Sequence, residues 1–182
     1  MIKTQKIGFD FDGVFISHPP FIPKALIEKL YKKNSNQLSY RYPGKLEQKI
    51  RILSHFPMLR PAIKENLMAF KKYGAPSAIL ISSRFCFLKS RTYQWDQRND
   101  LFKYFRKTYF NDKNEQPHKF KDRLIKHENL NKFIDDDLDL LLFLSKQNPK
   151  VDFYWLSNSH TTKLPINITH IKTLQDFFEK YV

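Results

Sequence analysis

Short apolar runs, each cut off by polar residues and separated by stretches of helical periodicity, constrain this chain more than any other feature. Lys6 to Phe11, Ala78 to Ile81, Lys132 to Ile134 and Val151 to Leu156 are the runs, and Thr108-Tyr109-Phe110 is a shorter strand candidate. Between and after them come helical patterns: Lys24 to Lys33, Leu46 to His55, Pro61 to Tyr73, Phe87 to Phe105, Phe120 to His127, Leu138 to Ser145 and Thr173 to Tyr181. Near-continuous apolar strands are buried on both faces, and such strands alternating with helices build a parallel sheet between two helical layers. The expected architecture is therefore α/β, a three-layer Rossmann-like parallel sheet with helices on both faces.

One segment breaks the alternation. From about Ser17 to Phe56 two basic helical patterns flank Asn34-Ser35-Asn36, Tyr40-Arg41-Tyr42 and Pro43-Gly44. An insertion straight after the first strand would hang over the strand ends, where open α/β sheets bind ligands. The expected division is a core of 1–16 and 57–182, with 17–56 as a small basic helical cap. Tyr40, Arg41 and Tyr42 are its candidate substrate-selecting residues.

Composition narrows the classes of function. The 182 residues carry a formal charge of +14, which makes phosphorylated small molecules, nucleotides or nucleic acid plausible partners. The single cysteine, Cys86, has no internal disulfide partner, and the N-terminus lacks the pattern of a signal peptide. No apolar run approaches the ~18–20 residues of a membrane span. A cytoplasmic protein with no membrane partner is expected. Oligomeric state leaves no trace in the sequence.

The first strand ends in Asp10-Phe11-Asp12-Gly13. Residues i and i+2 of a strand point the same way, so two carboxylates converge, and they repel unless a cation or a proton lies between them. Ser82 and Ser83 follow the second apolar run, with Arg84 next. Lys119 and Lys121 lie near the head of a helix. Asp135-Asp136 close the run Lys132 to Ile134, and with Asp137 and Asp139 they concentrate the acids of a basic chain. Strand ends of one sense lie along one edge of a parallel sheet. An aspartate pair, a hydroxyl, an ammonium and a second aspartate pair would thus meet in one crevice, an inventory suited to phosphoryl transfer.

This order and spacing resembles the haloacid dehalogenase superfamily of phosphohydrolases over most of the chain outside the insertion. The resemblance implies a Mg²⁺-dependent hydrolysis of a phosphomonoester through an aspartyl-phosphate. Asp10 matches the nucleophile and Asp12 the general acid/base. Ser82, with Ser83 as the weaker alternative, matches the phosphate-binding hydroxyl, and Lys121, with Lys119 as the alternative, the phosphate-binding lysine. The metal ligands implied are Asp10, Asp12 through its main-chain carbonyl, and one of Asp136 and Asp135, with Asp136 preferred. Many relatives carry an acid or amide four positions after the metal aspartate, where this chain has Leu140, and Asp139 or a water is the candidate substitute. The same motifs admit a nucleotide or nucleic-acid-end phosphatase, a phosphotransferase, or a non-catalytic phosphate- or nucleic-acid-binding protein. The histidines, among them His18, His55 and His118, are read as surface or cap residues, and Trp95 and Trp155 as packing.

Overall fold

The computed structural model describes residues 5–18, 38–74, 76–159 and 163–182. The helix expected at Lys24 to Lys33 lies outside them. Six strands form one sheet in the order β3-β2-β1-β4-β5-β6, every pair parallel. They are β1 (Ile7–Phe9), β2 (Ala78–Phe85), β3 (Lys107–Asn111), β4 (Lys132–Asp135), β5 (Asp152–Leu156) and β6 (Ile168–Ile171). The helices are α1 (Lys45–Ser54), α2 (Lys64–Tyr73), α3 (Lys89–Asn99), α4 (Pro117–Glu128), α5 (Leu138–Gln147) and α6 (Leu174–Tyr181). The order reverses between β1 and β4, which opens a crevice beyond their carboxyl ends.

Two apolar layers cover the sheet. On one side α2, α3 and α6 bring Phe70, Trp95, Phe177 and Phe178 onto Phe9, Phe11 and Phe15. Phe9 is wholly buried, and the ring of Phe70 meets it edge-on at 5.1 Å. Truncating it to Ala would cost about 3–5 kcal/mol. On the other side α4 and α5 lay Phe120, Leu124, Ile125, Leu140 and Leu144 over Ile79, Ile81, Phe133 and Phe153. Most of the abundant phenylalanine thus serves packing.

Local chemistry starts and stops these helices. α4 begins with Pro117, whose missing N–H costs nothing at that position, and ends at Asn129 in the left-handed region (φ 54°). Asp137 caps α5 by accepting from the amides of Asp139 and Leu140. Thr173 and Asp176 form a capping box at α6.

Several expected elements are corrected. The strand at Ala78 does not stop before Ser82 but runs on to Phe85, with a shift in its pairing to β3 between Ser82 and Phe85. The long helix from Phe87 to Phe105 is broken. A 3-10 turn (Cys86–Leu88) precedes α3, Asp100 ends it at φ 53°, and a second 3-10 turn spans Phe102–Tyr104. The Asp96 carboxylate accepts from the amides of Leu101 and Phe102, which satisfies the backbone at the break. β6 was not expected, because Ile168-Thr169-His170-Ile171 has the weak apolar pattern of an edge strand. Among the described residues no helix is long and apolar enough to cross a membrane.

Candidate active site

The first strand delivers Asp10 to the switch point. Its amide donates to the carbonyl of Ile134 at 2.9 Å, extending the β1–β4 ladder by one residue. The chain then turns tightly, with the amides of Phe15 and Ile16 both donating to the Phe11 carbonyl. Gly13 makes this turn at φ +70°, and a Cβ there would lie 2.1 Å from Cγ of Asp136. Glycine is required twice, for the left-handed backbone and for the approach of the carboxylate.

Lys121 joins the two acidic strand ends. Its ammonium lies 2.8 Å from Asp10 Oδ1 and 2.7 Å from Asp135 Oδ2, and all three residues are buried. Lys121 is one turn inside α4 rather than at its head, and from there its ammonium reaches the carboxylates that follow β1 and close β4. Lys119, two positions earlier, is exposed. Burial alone would discharge Lys121, but the carboxylates of Asp10 and Asp135 outweigh it and hold its pKa above the ordinary lysine value. Burial pushes Asp10 well above the usual carboxylate range, against the pull of Lys121. Burial likewise raises Asp135 to about 6, again opposed by Lys121.

Asp136 completes the acidic group. One carboxylate oxygen from each of Asp10, Asp135 and Asp136 lies within 4.8 Å of the others. Asp135 is also fixed by accepting from the Asp137 amide at 3.0 Å, and Trp155 Nε1 donates to the Asp136 carbonyl at 3.2 Å. His18 Nε2 stands 3.3 Å from Asp136 Oδ2, so this histidine belongs to the site rather than to the general surface. Asp139 is exposed and not part of the carboxylate group, while Leu140 is core. Asp137 and Asp139 therefore serve the start of α5, with Tyr40 Oη donating to Asp137 Oδ2 at 3.1 Å.

Asp12 has a different environment. Arg84 donates to both its oxygens, and Arg60 Nη2 to Oδ1 at 2.5 Å. Burial works to raise Asp12, but the two guanidiniums prevail and hold it well below the usual carboxylate range. Arg84 is not solvated. It lies over the Phe11 ring at 4.7 Å and donates its remaining nitrogen to Thr92 Oγ1 at 3.0 Å. Arg60, just past the insertion, and His55, at its end, carried no signal in the sequence, being single polar residues without a motif. His55 is buried and donates from Nδ1 to the Arg51 carbonyl at 2.7 Å. Burial, then Arg84 and Arg60, push its pKa down to about 3.

Ser82 is buried at 1% exposure, and its Oγ has no hydrogen-bond partner among the described residues. Ser83 is partly exposed. A buried hydroxyl without a partner is free to donate to an anionic oxygen. In the insertion, Tyr40 is buried, Arg41 pairs with Glu47, and the Tyr42 ring packs edge-on against Phe85 at 5.0 Å. Ser17 and Pro61 tie the base of the insertion, the Ser17 amide donating to the Pro61 carbonyl at 2.9 Å.

A parallel sheet whose order reverses beside its central strand, with helices on both faces and acids closing that strand and its neighbour, is a three-layer α/β Rossmann-like fold. A solved haloacid dehalogenase-like family hydrolase from Xanthomonas campestris superposes with a TM-score of 0.53, covering 97% of this chain and 93% of that one at 11% identity. At that identity the likeness is one of fold. By sequence, no protein-family model and no curated protein matches the chain.

Proposed function

We propose that the protein is a hydrolase of phosphomonoesters that works through an aspartyl-phosphate on Asp10. The observation that carries this reading is Lys121 bridging Asp10 and Asp135 at the switch point, with Asp136 within reach of both. The Asp10 carboxylate attacks phosphorus, and the phosphorus–oxygen bond to the leaving group breaks. Lys121 offsets charge on the nucleophile and on the phosphoryl oxygens, and Ser82 Oγ donates to one of those oxygens. Water then attacks the phosphorus of the intermediate, its proton passes to Asp12, and the bond to Asp10 breaks to release phosphate.

The donor set is hard oxygen, which fits Mg²⁺. Asp10, Asp136 and the Asp12 main-chain carbonyl would hold the ion, with Asp135 committed to Lys121. Bound there, it would supply further neutralisation of phosphoryl charge.

The arginine pair keeps Asp12 an anion, which favours substrates whose leaving group departs without a proton. p-Nitrophenyl phosphate is therefore the test substrate. With Mg²⁺, the wild-type protein should release nitrophenolate and phosphate. Asp10→Asn should abolish turnover and keep the unfolding transition. Near-normal activity in that variant would refute the mechanism. The charge of +14 keeps phosphorylated oligonucleotides and nucleotides as a second substrate class. Their binding should weaken steeply with salt.

A further inference from the structure

The outward side of α1 carries large apolar side chains that nothing among the described residues covers. Leu46, Ile50 and Leu53 are 75%, 58% and 65% exposed. At 3.6 residues per turn they fall within roughly 60° of arc, a single stripe along the helix. Met58, in the turn that follows, is 72% exposed as well. Contiguous exposed apolar surface of this kind marks an interaction site more often than chance.

The charge around the stripe has one sign. Lys45 and Lys49 are exposed on the same helix. The only acid of α1, Glu47, is engaged by Arg41 and Arg51. The helix is fastened from its other side, where Arg91 Nε donates to the Ile52 carbonyl at 3.1 Å and the Arg91 guanidinium lies over the Phe56 ring at 4.7 Å. The stripe is thus presented as a fixed ridge with a cationic flank. A second copy of the same face would crowd the lysines of both chains together.

We propose that this face of α1 docks on an anionic lipid bilayer. Leu46, Ile50 and Leu53 enter the interfacial region, and Lys45 and Lys49 meet acidic headgroups. Among the described residues no helix is long and apolar enough to cross a membrane, but a helix that lies on a bilayer needs no span. The net charge of +14 adds long-range attraction to the same surface. The proposal is independent of the catalytic reading.

The test is cosedimentation of the full chain with phosphatidylcholine vesicles, with and without phosphatidylserine. Binding is expected only to the vesicles containing phosphatidylserine, and added salt should weaken it. Replacing Leu46, Ile50 and Leu53 together by Ser should reduce partitioning by about tenfold or more. The pair Lys45→Glu and Lys49→Glu should reduce it by a similar factor. All five sites are exposed, so both variants should keep the wild-type melting curve. Undiminished binding by the triple-serine variant would overturn the proposal in favour of attraction by net charge alone. Failure to bind anionic vesicles would overturn it too, as would a leucine-dependent dimer in sedimentation or binding of an acidic amphipathic peptide in place of vesicles.

Discussion

Arg84 grips Asp12 through a two-pronged contact, Nε to Oδ2 at 2.7 Å and Nη2 to Oδ1 at 2.7 Å. The grip depends on the extension of β2 beyond Ser82, where the pairing to β3 shifts before Phe85. Such irregularities re-aim side chains at a strand end. The planar fork of arginine matches a carboxylate in a way that lysine cannot. Arg60 closes on the same carboxylate from the turn just past the insertion. Asp12 is consequently held in place as well as in charge.

Removing that grip should be costly in a specific way. Arg84→Ala leaves Asp12 with Arg60 alone. Because the Asp12 side chain is 30% exposed, the loss of stability should be about 1–3 kcal/mol rather than the larger value for a fully buried pair. If Asp12 must be held to receive the proton of water, kcat should fall by ~10–100-fold with KM little changed. Arg84→Lys should be intermediate, since it restores charge without the fork. Urea unfolding and steady-state kinetics on p-nitrophenyl phosphate measure both effects, and wild-type kcat in Arg84→Ala would show that Asp12 does not need the grip.

His55 should make the fold acid-sensitive. Its folded pKa is about 3 against 6.5 for the free side chain, so the unfolded chain takes up a proton first. Its contribution is complete above pH 6.5 and is lost as pH falls from there towards 3. His55→Gln, which can still donate to the Arg51 carbonyl, should flatten the stability profile across that window. Urea midpoints measured from pH 7 to pH 4 on both proteins provide the comparison, and parallel curves would contradict the assignment.

Asp135 contributes the opposite pH trend to stability, and its ionisation sets the pH range in which metal binding helps. Its folded pKa of about 6 lies above the ordinary 3.8, so the stability present while it is protonated is lost as pH rises through about 6. A divalent cation relieves the crowded carboxylates most where they are ionised. Mg²⁺ should raise the melting temperature at pH 8 and much less at pH 5, and Asp136→Asn should remove most of the shift. A shift of equal size at both pH values would locate the ion elsewhere.

Gly13→Ala should damage the site more than the fold. The positive φ and the collision with Asp136 together should cost about 1–3 kcal/mol. Displacement of Asp136 should also reduce the Mg²⁺-induced rise in melting temperature. Thermal melts with and without Mg²⁺ separate the two effects, and an unchanged response to Mg²⁺ would mean that Asp136 had not moved.

Much of the architecture was legible because it is written in short-range periodicity. Apolar runs of strand length and helical stripes of Leu, Ile and Phe report burial directly, and the parallel sheet follows from their alternation. The Asp10 and Asp135-Asp136 positions were legible for a related reason, since polar residues that terminate an apolar strand must emerge at its end. β6 was missed because an edge strand needs less apolar surface. The break at Asp100 was missed because a left-handed aspartate looks in sequence like any exposed helical acid.

By itself, then, the sequence determined most of the elements and that Asp10, Asp135 and Asp136 arrive at the carboxyl edge of the sheet. Only the tertiary structure decided how they are shared. Lys121 is distinguished from Lys119 by two positions along α4, which turn one into the crevice and leave the other exposed. Arg60 and Arg84 come from segments 48 and 72 residues away from Asp12 and converge on it only after the sheet is assembled. Periodicity records which side of an element is buried, whereas the meeting of long charged side chains across elements depends on packing that no local pattern encodes.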